Sequence, residues 1–102
     1  MVRPTGIHTF TAFVRADGAT FVRDPFTKTG LIWHDVSTLA GYPADVNDVS
    51  IAMLQPFSDS LYLTVRTSTG HVAQTRCSAC DAGTEVWPNN CTPFVDITPP
   101  NL

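Results

Sequence analysis

The sequence predicts an all-β protein, and its composition carries this prediction. Of the 102 residues only one is Lys and one is Glu, whereas fourteen are Thr and ten are Val. Unbranched Lys and Glu favour helices, and β-branched Thr and Val pack best on a pleated sheet. Eight Pro and six Gly interrupt the chain, which is typical of short strands joined by turns. A single domain, 1–102, is expected at this length.

Alternation of apolar and polar residues predicts where the strands lie. In residues 8–15, Phe10, Ala12 and Val14 would share one face of a strand, and the other face would carry Thr9, Thr11, Phe13 and Arg15. Asp17 and Gly18 follow, a pair that favours a hairpin turn because Gly adopts a positive φ at no steric cost. The same criteria predict strands at residues 8–15, 20–23, 31–36, 46–54, 60–66, 71–77 and 94–98.

The chain contains an internal repeat. Residues 10–15 align with residues 61–66 at an offset of 51, and residues 33–37 align with residues 94–98 at an offset of 61. The difference between the offsets falls largely in a cysteine-bearing loop, residues 77–91. A repeat of about 50 residues with about four strands is typical of a β-propeller blade.

The two repeats, residues 8–41 and 46–100, therefore predict two four-stranded propeller-like blades per chain. The first repeat begins at its second strand, so its innermost strand is missing. Because propellers need about four to eight blades to close, two blades would complete a ring by oligomerisation, as a trimer or tetramer. A single small β-sandwich or barrel is the alternative for the same strands, and a fragment of a larger fold is a third.

Short motifs recur in both repeats. The first contains Val14-Arg15, Asp17-Gly18, Trp33 and Leu39-Ala40-Gly41, and the second contains Val65-Arg66, Gly70 and Asp96. This pattern resembles the repeats of propeller lectins of the PLL and tectonin-like type. The resemblance implies a non-catalytic, carbohydrate-binding protein that is multivalent through its ring, with sugar pockets between adjacent blades. The second repeat departs from the pattern where Phe94 replaces the tryptophan.

Five residues are predicted to bind a glycan ligand: Trp33, Tyr62, Arg66, Trp87 and Arg15. Aromatic rings can stack on the apolar face of a sugar, and the guanidinium fork binds hydroxyl or carboxylate groups. Trp87 is expected to be the most exposed aromatic residue, because it lies in the polar cysteine-bearing loop. The alternative roles are core packing for the rings and solvated or Asp-paired surface positions for the arginines.

Three cysteines are the sharpest local feature. A disulfide, either Cys77–Cys91 or Cys80–Cys91, would close the loop and leave one thiol over. With His71, the three thiolates could instead hold zinc as a Cys₃His site. Reduced, unliganded thiols are the third possibility.

Catalysis is not expected from this sequence, nor is a cofactor. His34 and Asp35 are neighbours on a strand, so their side chains would point to opposite faces and could not act as a base and its orienting group. Asp35 and its repeat counterpart Asp96 are expected to bond backbone amides at strand ends. No nucleophile-elbow motif or phosphate-binding glycine loop is present.

Charge and hydropathy argue against two kinds of partner, nucleic acid and a membrane that the chain would span. A net charge of −3 with few basic residues argues against nucleic acid, which requires a basic surface. No apolar run reaches the 18–20 or so residues of a membrane span. The alternative to a lectin is a structural or interaction β-sandwich protein of a virion or surface assembly. The compartment is not defined, although an extracellular or surface location is favoured.

Overall fold

A computed structural model describes residues 10–28, 30–54, 60–79 and 85–99 of the chain. Within these ranges the protein consists of β-strands and turns and has no helix, which confirms the all-β prediction. The strands are β1 (Thr11–Val14), β2 (Thr20–Arg23), β3 (Trp33–Asp35), β4 (Val46–Leu54), β5 (Ser60–Thr67), β6 (Val72–Ser78) and β7 (Val95–Asp96). The same ranges contain no helix long and apolar enough to cross a bilayer.

The strands β1, β2 and β3 form a three-stranded antiparallel sheet with β2 at its centre. The β1–β2 hairpin turns at Gly18, whose φ is 91°. The Gly18 N–H donates to the carbonyl of Arg15 at 2.8 Å and closes the turn. Glycine adopts this φ without a steric penalty, so the hairpin predicted from Asp17 and Gly18 is confirmed.

The strands β4, β5, β6 and β7 form a four-stranded antiparallel sheet in sequence order. The predicted bounds of β4, residues 46 and 54, are those observed. A register shift between Val46 and Asp48 marks a bulge at the start of this edge strand. In both sheets each strand pairs with the next one along the chain, so the described strands form two meanders without a Greek-key crossover.

Both sheets contribute to one apolar core. Leu61 and Leu63 of β5 and Cys77 of β6 are fully buried. They cluster with Val22 of β2 and with Val36, which directly follows β3. Each aliphatic side chain buried in this way stabilises the fold by about 1.5–3 kcal/mol. One face of each sheet is therefore covered, and we call the opposite face of each sheet its outer face.

The strands β3 and β7 are shorter than predicted, because the chain turns back at an aspartate in each. The Asp35 carboxylate accepts a hydrogen bond from the Ser37 N–H at 2.8 Å. The Asp96 carboxylate accepts one from the Thr98 N–H, also at 2.8 Å. Such side-chain bonds to the backbone two residues on stabilise turns. The predicted structural role of Asp35 and Asp96 is confirmed.

The pairing registers of the two sheets correspond over their first two strands. Ala12 lies opposite Val22 in the first sheet, and Leu63, which aligns with Ala12, lies opposite Thr75 in the second, so Val22 and Thr75 occupy corresponding positions. The third strands, β3 and β7, are shifted by one residue relative to this correspondence. A shift of one residue exchanges the two faces of a strand, so β3 and β7 present different side chains to solvent.

Candidate functional site

The outer face of the first sheet combines aromatic and basic side chains, and we call it the aromatic face. Its members are Phe13, Arg15, Phe21, Arg23 and Trp33. They alternate with residues that are turned towards the core, and the pleat of the strands places all of them on the same side of the sheet. Two of the five, Arg15 and Trp33, were predicted to bind a ligand.

Strand pairing arranges the aromatic face in two parallel rows. These rows are Thr11–Arg23–Trp33 and Phe13–Phe21–Asp35. Neighbouring strands lie about 4.8 Å apart, so each row spans about 10 Å over its three strands. This is the size of a mono- or disaccharide.

Trp33 and Phe13 form an exposed pair of aromatic rings on this face. Their ring centroids are 6.3 Å apart and the rings are inclined at 70°, an edge-to-face contact. Trp33 is 39% exposed and Phe13 is 54% exposed. The contact holds the two rings in position while leaving much of their apolar surface accessible to a ligand.

Arg15 covers the remaining aromatic ring of the face. Its guanidinium carbon lies 4.8 Å from the centroid of the Phe21 ring, within the range of a cation–π contact. The same guanidinium donates two hydrogen bonds, of 3.0 and 2.8 Å, to the Asp17 carboxylate. These bonds, together with one from the Ala19 N–H, lower the pKa of Asp17 to about 2. The Arg15 guanidinium is therefore held over the face, and its charge is paired with that of Asp17.

Arg23 stands between Thr11 and Trp33 in the first row. Its side chain is half-buried and forms no ion pair or hydrogen bond within the described part of the chain. The guanidinium therefore supplies a positive charge that no described residue pairs, in the row that contains Trp33.

The outer face of the second sheet is polar where the first is aromatic. Arg66 pairs with Asp48 at 2.8 Å, and the Gln74 amide donates to the Thr64 hydroxyl at 3.0 Å. A surface hollow of about 260 Å³ lies here, lined by Asp48, Val49, Ser50, Thr64, Arg66 and Val72. Tyr62 lies on this face in the row next to the hollow and does not line it. The hollow therefore offers hydrogen bonds but no ring for stacking.

Trp87 is partly buried and is not the exposed platform that its polar loop suggests. Its indole N–H donates to the carboxylate of Asp24 at 2.9 Å, and Asp24 is only 2% exposed. The imidazole of His34 stacks on the indole with centroids 5.5 Å apart. Burial lowers the pKa of His34, and the nearby Asp24 opposes this shift. Trp87 anchors the cysteine-bearing loop to the first sheet.

His34 and Asp35 bond to different partners, as their positions on opposite faces of β3 require. His34 Nε2 and the Thr27 hydroxyl form a hydrogen bond of 2.9 Å on the core side. Asp35 accepts bonds from both the backbone N–H and the hydroxyl of Ser37. The two side chains therefore do not form a base with its orienting carboxylate.

A disulfide joins Cys77 and Cys91 and closes the cysteine-bearing loop across 14 residues. Of the two predicted pairings this is the one present, and Cys80 lies outside the described residues. A zinc site with His71 would need both sulfurs as thiolates, which the disulfide prevents. No group of three or more His, Cys, Asp or Glu side chains within the described ranges is placed to hold a metal ion.

Comparison of the chain with protein-family models, with curated proteins and with solved structures gives no match. The lectin resemblance therefore stays a prediction, and the function has to be inferred from the site itself.

Three members of the aromatic face, Phe13, Phe21 and Arg23, were not among the predicted ligand-binding residues. The sequence pattern indicates Phe13, because alternation along the strand places it on the same face as Arg15, a predicted ligand-binding residue. Phe21 and Arg23 come beside Trp33 only through the register of β1, β2 and β3. The Gly18 turn sets only the register of β1 with β2, and the register of β2 with β3 is defined by the tertiary structure.

Proposed function

We propose that the protein is a non-catalytic carbohydrate-binding protein and that the aromatic face is its binding surface. The observation that carries this proposal is the exposed edge-to-face pair of Trp33 and Phe13, with Arg23 and Thr11 in the adjoining positions of the sheet. Trp33 and Arg15 remain in the proposed site from the predicted set. Trp87 leaves it because it anchors the loop.

The chemistry of a sugar fits this surface. One side of a pyranose ring presents C–H groups, which pack against an exposed aromatic ring, while its hydroxyls need donors and acceptors at the edge of that ring. Trp33 supplies the ring. Thr11 and Arg23, in the same row, supply a hydroxyl and a guanidinium.

The proposal includes assembly into a propeller ring. The support is topological: both sheets are antiparallel meanders, the second has four strands and the first has three, as expected for one complete blade and one without its innermost strand. In such a ring the outer faces of the two sheets would lie against neighbouring chains, so the aromatic face would line a pocket between blades. One such pocket would bind a single sugar weakly. Several copies in one ring would raise the avidity by linking the sites.

A glycan array probed with the native protein and with two variants tests this function. Trp33→Ala removes the exposed ring, and we expect bound glycans to lose at least about tenfold in affinity, since a ring contact is worth about 1.5 kcal/mol. Tyr62→Ala is the matched control, because Tyr62 lies on the polar outer face of the other sheet. An array without hits for the folded native protein, or equal losses for both variants, would contradict the proposal.

A structural or interaction protein is the second candidate, favoured by a specific observation. Leu31, two residues before Trp33, is 81% exposed and extends the apolar surface of the loop that leads into β3. Aromatic residues and arginine are also enriched at the centres of protein interfaces. Absence of glycan binding together with specific binding to a structural protein would favour this candidate.

A further inference from the structure

The aromatic face has one basic side chain, that of Arg23, whose charge is not paired by any described residue. It lies at the centre of its row, between the hydroxyl of Thr11 and the indole of Trp33. Its position on the central strand β2 fixes its backbone on both sides. The guanidinium is thus held on a rigid element beside the exposed ring.

The other arginines within the described residues are engaged. Arg15 and Arg66 each pair with an aspartate at 2.8 Å. Arg76 is the repeat counterpart of Arg23, because it lies opposite Tyr62 as Arg23 lies opposite the aligned Thr11. It donates to the Ser60 hydroxyl at 3.1 Å. Arg23 has no such partner among these residues. Its five N–H donors are therefore available to an acceptor that the described residues do not supply.

We propose that the ligand of the aromatic face is a saccharide carrying a carboxylate, and that Arg23 binds that carboxylate. This inference rests on carbohydrate binding by the aromatic face. The sugar ring stacks on Trp33, and the carboxylate receives a bidentate pair of hydrogen bonds from the guanidinium next to it. An arginine fork matches the two oxygens of a carboxylate in geometry and in charge.

The charge pattern of the face favours one carboxylate over a polyanion. Arg15 is neutralised by Asp17, and Asp35 adds a negative charge at the far end of the second row. The chain as a whole carries a net charge of −3. A densely charged polymer would meet this repulsion at every repeat, whereas a saccharide with one acidic residue meets only Arg23.

Two probes that differ only in charge test the inference. The first is a disaccharide with one glucuronic acid residue, and the second is the methyl ester of the same disaccharide. Binding is followed by chemical-shift changes in two-dimensional NMR spectra of the native protein. We expect the acid to bind about tenfold or more tightly than the ester, since a charge-assisted hydrogen bond contributes at least this factor. Raising the salt concentration should weaken binding of the acid more than that of the ester.

Matched variants locate the effect on Arg23. Arg23→Gln keeps a polar side chain without the charge and should remove the preference for the acid while retaining binding of the ester. Arg76→Gln makes the same charge change at the repeat counterpart and should leave the preference intact. Arg23→Lys keeps the positive charge but not the planar guanidinium, so part of the preference for the acid should remain. This variant also tests the proposal if Arg23→Gln does not fold.

The outcomes separate this inference from the function on which it rests. Equal affinity for acid and ester in the native protein would overturn the role of Arg23 and leave carbohydrate binding in place. A preference that survives Arg23→Gln would also overturn it. If neither the two probes nor any glycan on the array binds, the proposed function and this inference both fail.

Discussion

The two tryptophans show how strongly tertiary contacts separate residues of the same type. Trp33 lies on the outer face of the first sheet, with its ring partly open to solvent. Trp87 donates its indole N–H to the buried carboxylate of Asp24 and stacks on His34. The first is therefore suited to contact a ligand, and the second holds the cysteine-bearing loop against the sheet.

This difference predicts opposite effects of the same substitution at the two positions. Trp87→Phe keeps a ring but removes a donor from the Asp24 carboxylate, so we expect the free energy of unfolding to fall by about 1–3 kcal/mol. Trp33→Phe removes no hydrogen bond within the described structure and should change it by less than about 0.5 kcal/mol. Urea unfolding measures both. Equal effects would mean that the Trp87–Asp24 bond contributes nothing to stability.

At the level of elements, the third strand of each sheet determines what the outer faces present. Trp33 and Phe94 align in the sequence, yet Trp33 is 39% exposed and Phe94 is 5% exposed. The one-residue shift of β7 relative to β3 turns the aligned side chains to opposite faces. The aromatic face therefore occurs on only one of the two sheets, although the sequence repeat suggests two similar surfaces.

A close backbone contact near Gly41 connects the loop after β3 with the segment that leads into β7. The Phe94 N–H donates to the Ala40 carbonyl at 2.8 Å, and Gly41, with φ of 80°, lies directly against the Phe94 carbonyl. A β-carbon at Gly41 would overlap that carbonyl oxygen. The glycine of the Leu39-Ala40-Gly41 motif is thus required by a contact between distant parts of the chain.

Replacing this glycine should be much more damaging than replacing one in open space. Gly41→Ala combines a strained positive φ with a backbone overlap, and we expect a loss of about 3 kcal/mol or more in the free energy of unfolding. Gly30 has nearly the same φ, 81°, but a β-carbon there would meet no described atom within 4 Å beyond its chain neighbours, so Gly30→Ala should cost only about 1 kcal/mol. Thermal or urea unfolding compares them. Similar losses would show that φ alone, and not the Phe94 contact, makes Gly41 necessary.

At the scale of the whole molecule, the two meanders share a core but differ in completeness. The second sheet has four strands and the first has three, and the chain has a mass of 11.1 kDa. The proposed propeller would need about four or more blades to close. If the two sheets are two of these blades, copies of the chain could supply the others.

The ring makes a direct prediction for the mass in solution. Light scattering coupled to size-exclusion chromatography should give three or four times the mass of one chain, and dilution should not shift it readily, because each subunit would contact two others. In a ring the outer faces of the two sheets would meet those of neighbouring chains, so Trp33→Ala should weaken the assembly. A monomeric mass for the native protein would contradict the ring and favour the single sandwich.

The sequence by itself determined the strand content of this protein. Alternation along residues 46–54 and 60–66 defined β4 and most of β5, because side-chain direction in a strand depends only on position in the pleat. The turn at Gly18 and the carboxylate turns at Asp35 and Asp96 were equally local, since the bonds that stabilise them span only a few residues.

Only the tertiary structure decided which of these residues can meet a ligand. The disulfide joins Cys91 to Cys77, the first of its two predicted partners, because β6 brings the Cys77 sulfur to it. Trp87 donates a hydrogen bond to Asp24, which is 63 residues away in the chain, and this bond holds the indole away from a ligand. Arg23 joins Trp33 through strand register. Each of these contacts joins residues that are distant in sequence, and periodicity along one strand contains no information about them.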